Sequence, residues 1–205
     1  MAYELKKSQK IYLPFKRLLD IFFSLIAIIV LSPLFLILGL MVMIDTKGFP
    51  IFRQKRIGKN NKEFLILKFR SMNKKTPRDV PTHLLENPDQ YISKFGKFIR
   101  KSSLDELPQL VNILIGQMSF IGPRPALWNQ KDLIEGRTRN NVHMIKPGLS
   151  GWAQINGRDE VSIEQKVGLD TYYFQHISIL LDTKILFKTI GKSLTQKDVV
   201  EGKQS

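Results

Sequence analysis

Asp105 and Glu106 form an adjacent acid pair inside an apolar stripe of Leu104, Leu107, Leu110, Val111 and Leu114, whose spacing predicts a helix over residues 102–115. Ser103 with Glu106 three places on fits a capping box, and Pro108 fits in or beside the first turn. Both carboxylates would then sit where backbone donors and the helix dipole favour negative charge, a placement that an ordinary helix start also produces. Arg124 is the next candidate, clamped between Pro123 and Pro125. Proline fixes its own backbone and biases the residue before it to extended geometry, so this guanidinium has little freedom, in a stiff connector or in a binding loop. Pro147 and Gly148 then set a turn before residues 149–158, where Trp152, Gln154, Asn156 and Arg158 could stack a base, bond its edge and hold a phosphate. A turn with a tryptophan at a membrane interface gives the same pattern. Gln54, Arg56, Lys68 and Arg70 on a strand pair, and Arg100 in a basic cluster with Lys97 and Lys101, could hold further phosphates or form a solvated face.

Several chemistries are missing. The 205 residues include no cysteine, so there is no disulfide, thiol nucleophile or cysteine-ligated zinc, which fits a reducing compartment. His83, His143 and His176 lie far apart, and there is no phosphate-loop signature, dinucleotide-binding glycine pattern or internal repeat. Kinases, dehydrogenases and zinc hydrolases are thereby set aside. A formal charge of +14 calls for anionic partners: lipid headgroups, phosphorylated substrates or nucleic acid. No nucleic-acid recognition motif is present, and the basic residues gather beside an apolar run instead of along one helix. A membrane-tethered nucleic-acid-binding protein, and a lipid-binding scaffold without chemistry, are the competing readings.

That apolar run, residues 21–44, is fenced by Asp20 and Asp45. As one helix it would reach about 36 Å, enough for a hydrocarbon core of about 30 Å. Ser32 and Pro33 fall at its middle, where proline removes a donor and crowds the preceding turn, so the helix should bend or break there. Both flanks are basic, with Lys16 and Arg17 before the run and Arg53, Lys55 and Arg56 after it, whereas a simple span is basic mainly on its cytoplasmic side. A re-entrant helix satisfies both observations, and a kinked single span is the alternative. The run is too long, and too poorly followed by a cleavage site, for a removable signal peptide. Residues 1–16 read as a basic arm, and residues 51–69 as a hairpin around a polar turn at 58–61. A surface loop is expected over 73–90, with helices over 91–100, 128–142, 160–174 and 180–194. In the last, Leu181, Ile185, Leu186, Thr189 and Ile190 form the apolar side, while Asp182 and Lys184 are counted polar. The expected class is α+β and predominantly helical. Its divisions are 1–47 (arm and membrane helix), 48–194 (one compact domain) and 195–205 (flexible tail).

The serine and proline of the membrane helix, residues 103–107, 122–125 and 147–158 together resemble the bacterial sugar transferase family, small monotopic phosphoglycosyl transferases, over residues 15–189. The motifs come in the family's order, and their joint occurrence is far more specific than any one of them. The resemblance implies a re-entrant N-terminal helix and a small catalytic domain with interfacial amphipathic helices, on the cytoplasmic face of the bacterial inner membrane. It implies transfer of a sugar phosphate from a UDP-sugar to undecaprenyl phosphate, with UMP released and Mg²⁺ required, as the first membrane step of glycan assembly. Carried over by residue, it makes Asp105 and Glu106 the catalytic and metal-binding dyad, and Ser32 and Pro33 the membrane break. It makes Arg124 the proline-flanked arginine and residues 148–158, with Gln154, Asn156 and Arg158, the glycine-rich tryptophan loop; with the basic residues Arg56, Lys68 and Arg100 read above, these form the expected substrate-binding set. Ser150 stands where relatives often have threonine. A carboxylate can attack phosphorus to give an acyl phosphate, which splits one hard transfer between anions into two displacements. Membrane lipids are then expected partners, and nucleic acid is not.

Overall fold

The computed structural model describes residues 5–73, 76, 91–157 and 161–195. Two helices open the chain, α1 (Lys7–Val30) and α2 (Ser32–Thr46), which meet at Leu31 with a bend of 65°. Pro33 causes the bend where the sequence puts it: it occupies the first turn of α2, where a missing N–H costs little, and Ser32 donates its hydroxyl to the Ile29 carbonyl at 2.8 Å. Among the described residues no single helix is long and apolar enough to cross a membrane. The bent pair reaches that length and apolarity only as a unit.

α1 begins at Lys7, inside the expected basic arm. Gln9 accounts for the difference. Its side-chain oxygen accepts from the Lys6 N–H at 2.9 Å and its amide donates to the Phe174 carbonyl at 2.8 Å, so docking onto distant residues draws the arm into the helix.

The hairpin forms as expected from β1 (Ile51–Ile57) and β2 (Glu63–Phe69), antiparallel, with Gln54 opposite Ile66 and Phe52 opposite Lys68. Phe64 and Ile66 are buried, and the period of two puts Lys68 on the same face. α3 (Lys94–Lys101) follows, its N-terminus capped by Ser93, whose hydroxyl accepts from the Gly96 N–H at 2.8 Å. The helix expected over 102–115 is broken into a 3₁₀ turn, Leu104–Glu106, and α4 (Gln109–Leu114). Ser103 sits in the left-handed region at φ 56° and its hydroxyl makes no cap, so the capping box does not form. The Glu106 side chain is drawn instead to Lys68 and Arg124.

β3 (Ser119–Ile121) and β4 (Gly148–Ser150) pair in parallel around α5 (Lys131–Arg139) and a 3₁₀ turn, Val142–Met144. α6 (Trp152–Ile155), α7 (Ile163–His176) and α8 (Ile179–Thr195) complete the architecture, which is α+β and predominantly helical. The stretch over 149–158, expected as a loop, thus contains the end of β4 and a short helix. Arg158, most of the loop expected over 73–90 and the tail from 196 lie outside the described residues.

Ile28, Leu31 and Phe35 pack on Phe64, Ile66 and Ile113, while Leu38 and Val42 meet Phe69 and Ile99. The other face of the bent pair leaves Phe22, Ile29, Val30, Leu36, Leu40 and Ile44 exposed. So much apolar surface is not ordinarily left to water. α8 divides in the same way: Ile185 joins a third cluster with Tyr173, Phe174 and Ile177, whereas Leu180, Phe187 and Ile190 are exposed. Asp182, counted as polar surface in the sequence, is buried. It accepts from the hydroxyls of Tyr12 at 2.9 Å and Tyr173 at 2.8 Å and pairs with the Lys16 ammonium, pinning α1 to α7 and α8.

Candidate active site

Asp105 and Glu106 share one 3₁₀ turn but have opposite surroundings. Lys68 Nζ donates to Glu106 Oε1 at 2.7 Å, and Arg124 Nη2 reaches the same oxygen at 3.0 Å. Burial alone would push the Glu106 carboxyl up, but the charges and hydrogen bonds of Lys68 and Arg124 outweigh it and hold this group below the usual carboxylate range. Asp105, only 6% exposed, accepts no hydrogen bond and joins no ion pair among the described residues. Burial pushes its carboxyl up, and the cations Lys68, Arg100 and Arg124 offset only part of that, with the Glu106 charge acting the other way. A helix dipole does not keep it ionised, because α4 starts only at Gln109.

Each partner is fixed from behind. Asn112 on α4 accepts from the Leu67 N–H at 3.0 Å and donates to the Leu65 carbonyl at 2.8 Å, binding β2 as a further strand would and setting the height of Lys68. Arg56 spans Gln54 Oε1 at 2.7 Å and the Pro125 carbonyl at 3.0 Å, tying the hairpin to the proline-flanked arginine. Burial, then the Arg124 charge, pull its guanidinium down to about 10, still cationic at neutral pH. The Arg124 carbonyl accepts from Arg137 Nη1 at 2.9 Å, and Arg137 is held by Asp170 at 2.6 Å and 2.9 Å in a buried pair.

At Gly122, Gly148 and Gly151 the segments 122–125 and 147–151 run so closely together that a side chain would not fit. A Cβ on Gly122 would lie 2.6 Å from the Lys146 carbonyl oxygen, and one on Gly148 would lie 2.1 Å from the Gly122 nitrogen. The Gly122 N–H donates to Ser150 and the Gly148 N–H to Pro123, which zips the two motifs into one unit. Ser150 shares a hydrogen bond with Thr189 of α8.

Thus Asp105, Glu106, Lys68, Arg100 and Arg124 share one electrostatic cluster, with Arg56 bracing it. Gln154 and Asn156 are used locally, donating to the carbonyls of Leu149 at 3.1 Å and Trp152 at 2.8 Å. Trp152 stacks on Tyr172 at 5.3 Å with the Lys184 ammonium 5.5 Å from its ring centre. Asn112, Arg137 and Asp170 stand in no motif of the sequence, and Asp182 is there only as a polar position on the last helix. A buried asparagine or ion pair joining distant segments leaves no local periodic signal.

The family model for bacterial sugar transferases matches residues 11–196. The chain belongs to the bacterial sugar transferase family. Among its relatives, a UDP-glucose:undecaprenyl-phosphate glucose-1-phosphate transferase of Klebsiella pneumoniae is 41% identical over 192 residues, 89% of this chain. The chain spans only 41% of that relative's length. An exopolysaccharide production protein, ExoY, of Sinorhizobium fredii is 38% identical, with 85% of this chain and 83% of the relative aligned. A sugar transferase of Bacillus subtilis, EpsL, is 39% identical over 90% of this chain and 89% of its own. As a bacterial sugar transferase, the chain places the dyad, the proline-flanked arginine and the glycine-rich segment within the matched region.

Two adjacent carboxylates suit a hard divalent cation: magnesium commonly takes one or two carboxylates and completes its octahedron with water and substrate phosphates. Asp105 and the Glu106 oxygen outside the Lys68 and Arg124 contacts could serve, and no group of three or more metal-binding side chains occurs among the described residues.

Proposed function

We propose that this chain transfers a sugar phosphate from a UDP-sugar to undecaprenyl phosphate, through an Asp105 acyl phosphate, as the first membrane step of glycan assembly. The observation that carries this reading is the contrast within the dyad, an anchored Glu106 beside a buried Asp105 that has no hydrogen-bond or ion-pair partner among the described residues. An Asp105 carboxylate oxygen attacks the phosphorus next to the sugar, and the bond from that phosphorus to the bridging oxygen breaks, so UMP leaves with that oxygen. An oxygen of undecaprenyl phosphate then attacks the acyl phosphate, and Asp105 departs as a carboxylate. Lys68 and Arg124, fixed by Glu106, supply preorganised positive charge to the diphosphate, and Arg100 adds its field. Magnesium, when bound by Asp105 and Glu106, would neutralise the diphosphate so that an anionic nucleophile can approach.

The same reading puts the exposed apolar face of α1 and α2 into the cytoplasmic leaflet of the inner membrane as a re-entrant segment, with α8 lying at the interface. The chain has no cysteine, so Ser8→Cys and Lys62→Cys can each be labelled cleanly. Both should react from the cytoplasmic side, and labelling from opposite sides would establish a span instead.

Release of UMP from a panel of UDP-sugars, measured with and without undecaprenyl phosphate, tests the activity. No release from any of them would leave a lipid- or nucleic-acid-binding protein without catalysis. Arg124→Ala should lower kcat/KM by about ten- to a hundredfold, the loss of one charge-assisted contact. Arg124→Lys keeps the charge without the fork and should recover only part. Rates within twofold of wild type for Arg124→Ala would confine this arginine to a structural role.

A further inference from the structure

A cationic cavity of about 270 Å³ lies between the start of α1 and the segment leading into β4, and none of the dyad's partners lines it. Arg17, Lys59 and Lys146 bring three positive charges to its wall, against Asp20 and an already neutralised Lys16–Asp182 pair. Arg17 and Lys146 converge on Gly116, where an added Cβ would lie 3.1 Å from the guanidinium and 3.3 Å from the ammonium. Among the described residues Arg17 donates only to neutral acceptors, the carbonyls of Ile113 and Leu114 at 2.6 Å and 2.7 Å. Among the described residues the Lys59 and Lys146 ammonium groups make no hydrogen bond or ion pair. Asp20 is engaged by the Ser119 hydroxyl and the Phe120 N–H at 3.0 Å and 3.1 Å. Burial, then the charge of Arg17, push the Lys146 ammonium down; the Asp20 charge opposes this and Lys59 adds to it, with the net direction downward. Gathering like charges in a half-buried recess is unfavourable unless an anion completes it. Arg17 lies just ahead of the apolar run that starts at Ile21, so the cavity opens at headgroup depth if the bent pair is membrane-embedded, the part of the proposed function on which this inference rests.

We propose that Arg17, Lys59 and Lys146 form a binding site for a phosphate group, separate from the transfer site, taken from an anionic lipid headgroup or from free phosphate. The full-length chain in non-ionic detergent is titrated with short-chain phosphatidylglycerol, phosphatidylcholine and inorganic phosphate, and bound species are counted by native mass spectrometry. One phosphatidylglycerol should be retained in preference to phosphatidylcholine. The double variant Lys59→Gln, Lys146→Gln should bind it at least about tenfold more weakly, and Lys59→Arg, Lys146→Arg should restore binding. Displacement by inorganic phosphate at comparable concentration assigns the site to free phosphate, and failure to displace assigns it to the lipid. Binding by the glutamine variant within twofold of wild type, or no binding of either anion by wild type, overturns the proposal. UMP release on the same samples separates the two ideas: wild type that binds phosphatidylglycerol through these lysines but transfers nothing refutes the transferase, not this site.

Discussion

Asp105→Asn is expected to lower turnover about a thousandfold or more without unfolding the protein, because an amide cannot supply the attacking oxygen. The substitution is nearly isosteric, and Asp105 accepts no hydrogen bond among the described residues, so the fold loses no contact. A buried charge also disappears, and the unfolding midpoint should hold or rise. Glu106→Gln should behave differently. It weakens the hold on both Lys68 and Arg124, so activity should fall by about ten- to a hundredfold and stability should fall with it. Steady-state rates and thermal unfolding of the two variants check this pattern, and an Asp105→Asn enzyme within tenfold of wild type would remove Asp105 from the nucleophile's role.

The largest loss of stability is expected at Asp182, far from the dyad in sequence. Asp182→Ala leaves the Lys16 ammonium buried without its partner, strips the acceptor from the Tyr12 hydroxyl and leaves the Tyr173 hydroxyl only the longer contact to the Ile121 carbonyl at 3.3 Å among the described residues. Breaking a buried pair from one side costs about 3 to 5 kcal/mol. Removing both charges with Lys16→Met and Asp182→Leu should recover much of that, since apolar replacements of a buried pair are often neutral. Unfolding midpoints of the single and double variants measure the coupling. An Asp182→Ala protein as stable as wild type would mean that α8 docks through Ile185 and its apolar neighbours alone.

The bend at Leu31 and the hairpin were legible because each has a local cause: Pro33 at a helix start, and alternation around a polar turn. The two ends of the transfer site were legible only as motifs. Their junction was not, since Gly122, Gly148 and Gly151, packed backbone to backbone, look in sequence like any loose turn. Ser103 and Glu106 had the spacing of a capping box, yet Ser103 adopts a positive φ and Glu106 finds two cations from other elements, so tertiary electrostatics overrode a local preference. Asp182 was misassigned to the surface for a related reason. Its partners Tyr12 and Lys16 lie 170 and 166 residues away, and no pattern within α8 records them.

Incubating the wild-type enzyme with a labelled UDP-sugar, without undecaprenyl phosphate, tests the proposed chemistry most directly. The expected result is one labelled phosphosugar per chain, mapped to Asp105, with an equal amount of UMP released before any acceptor is added. Product that forms only when both substrates are present, with no adduct on the protein at any time, would contradict it and leave direct attack by the polyprenol phosphate.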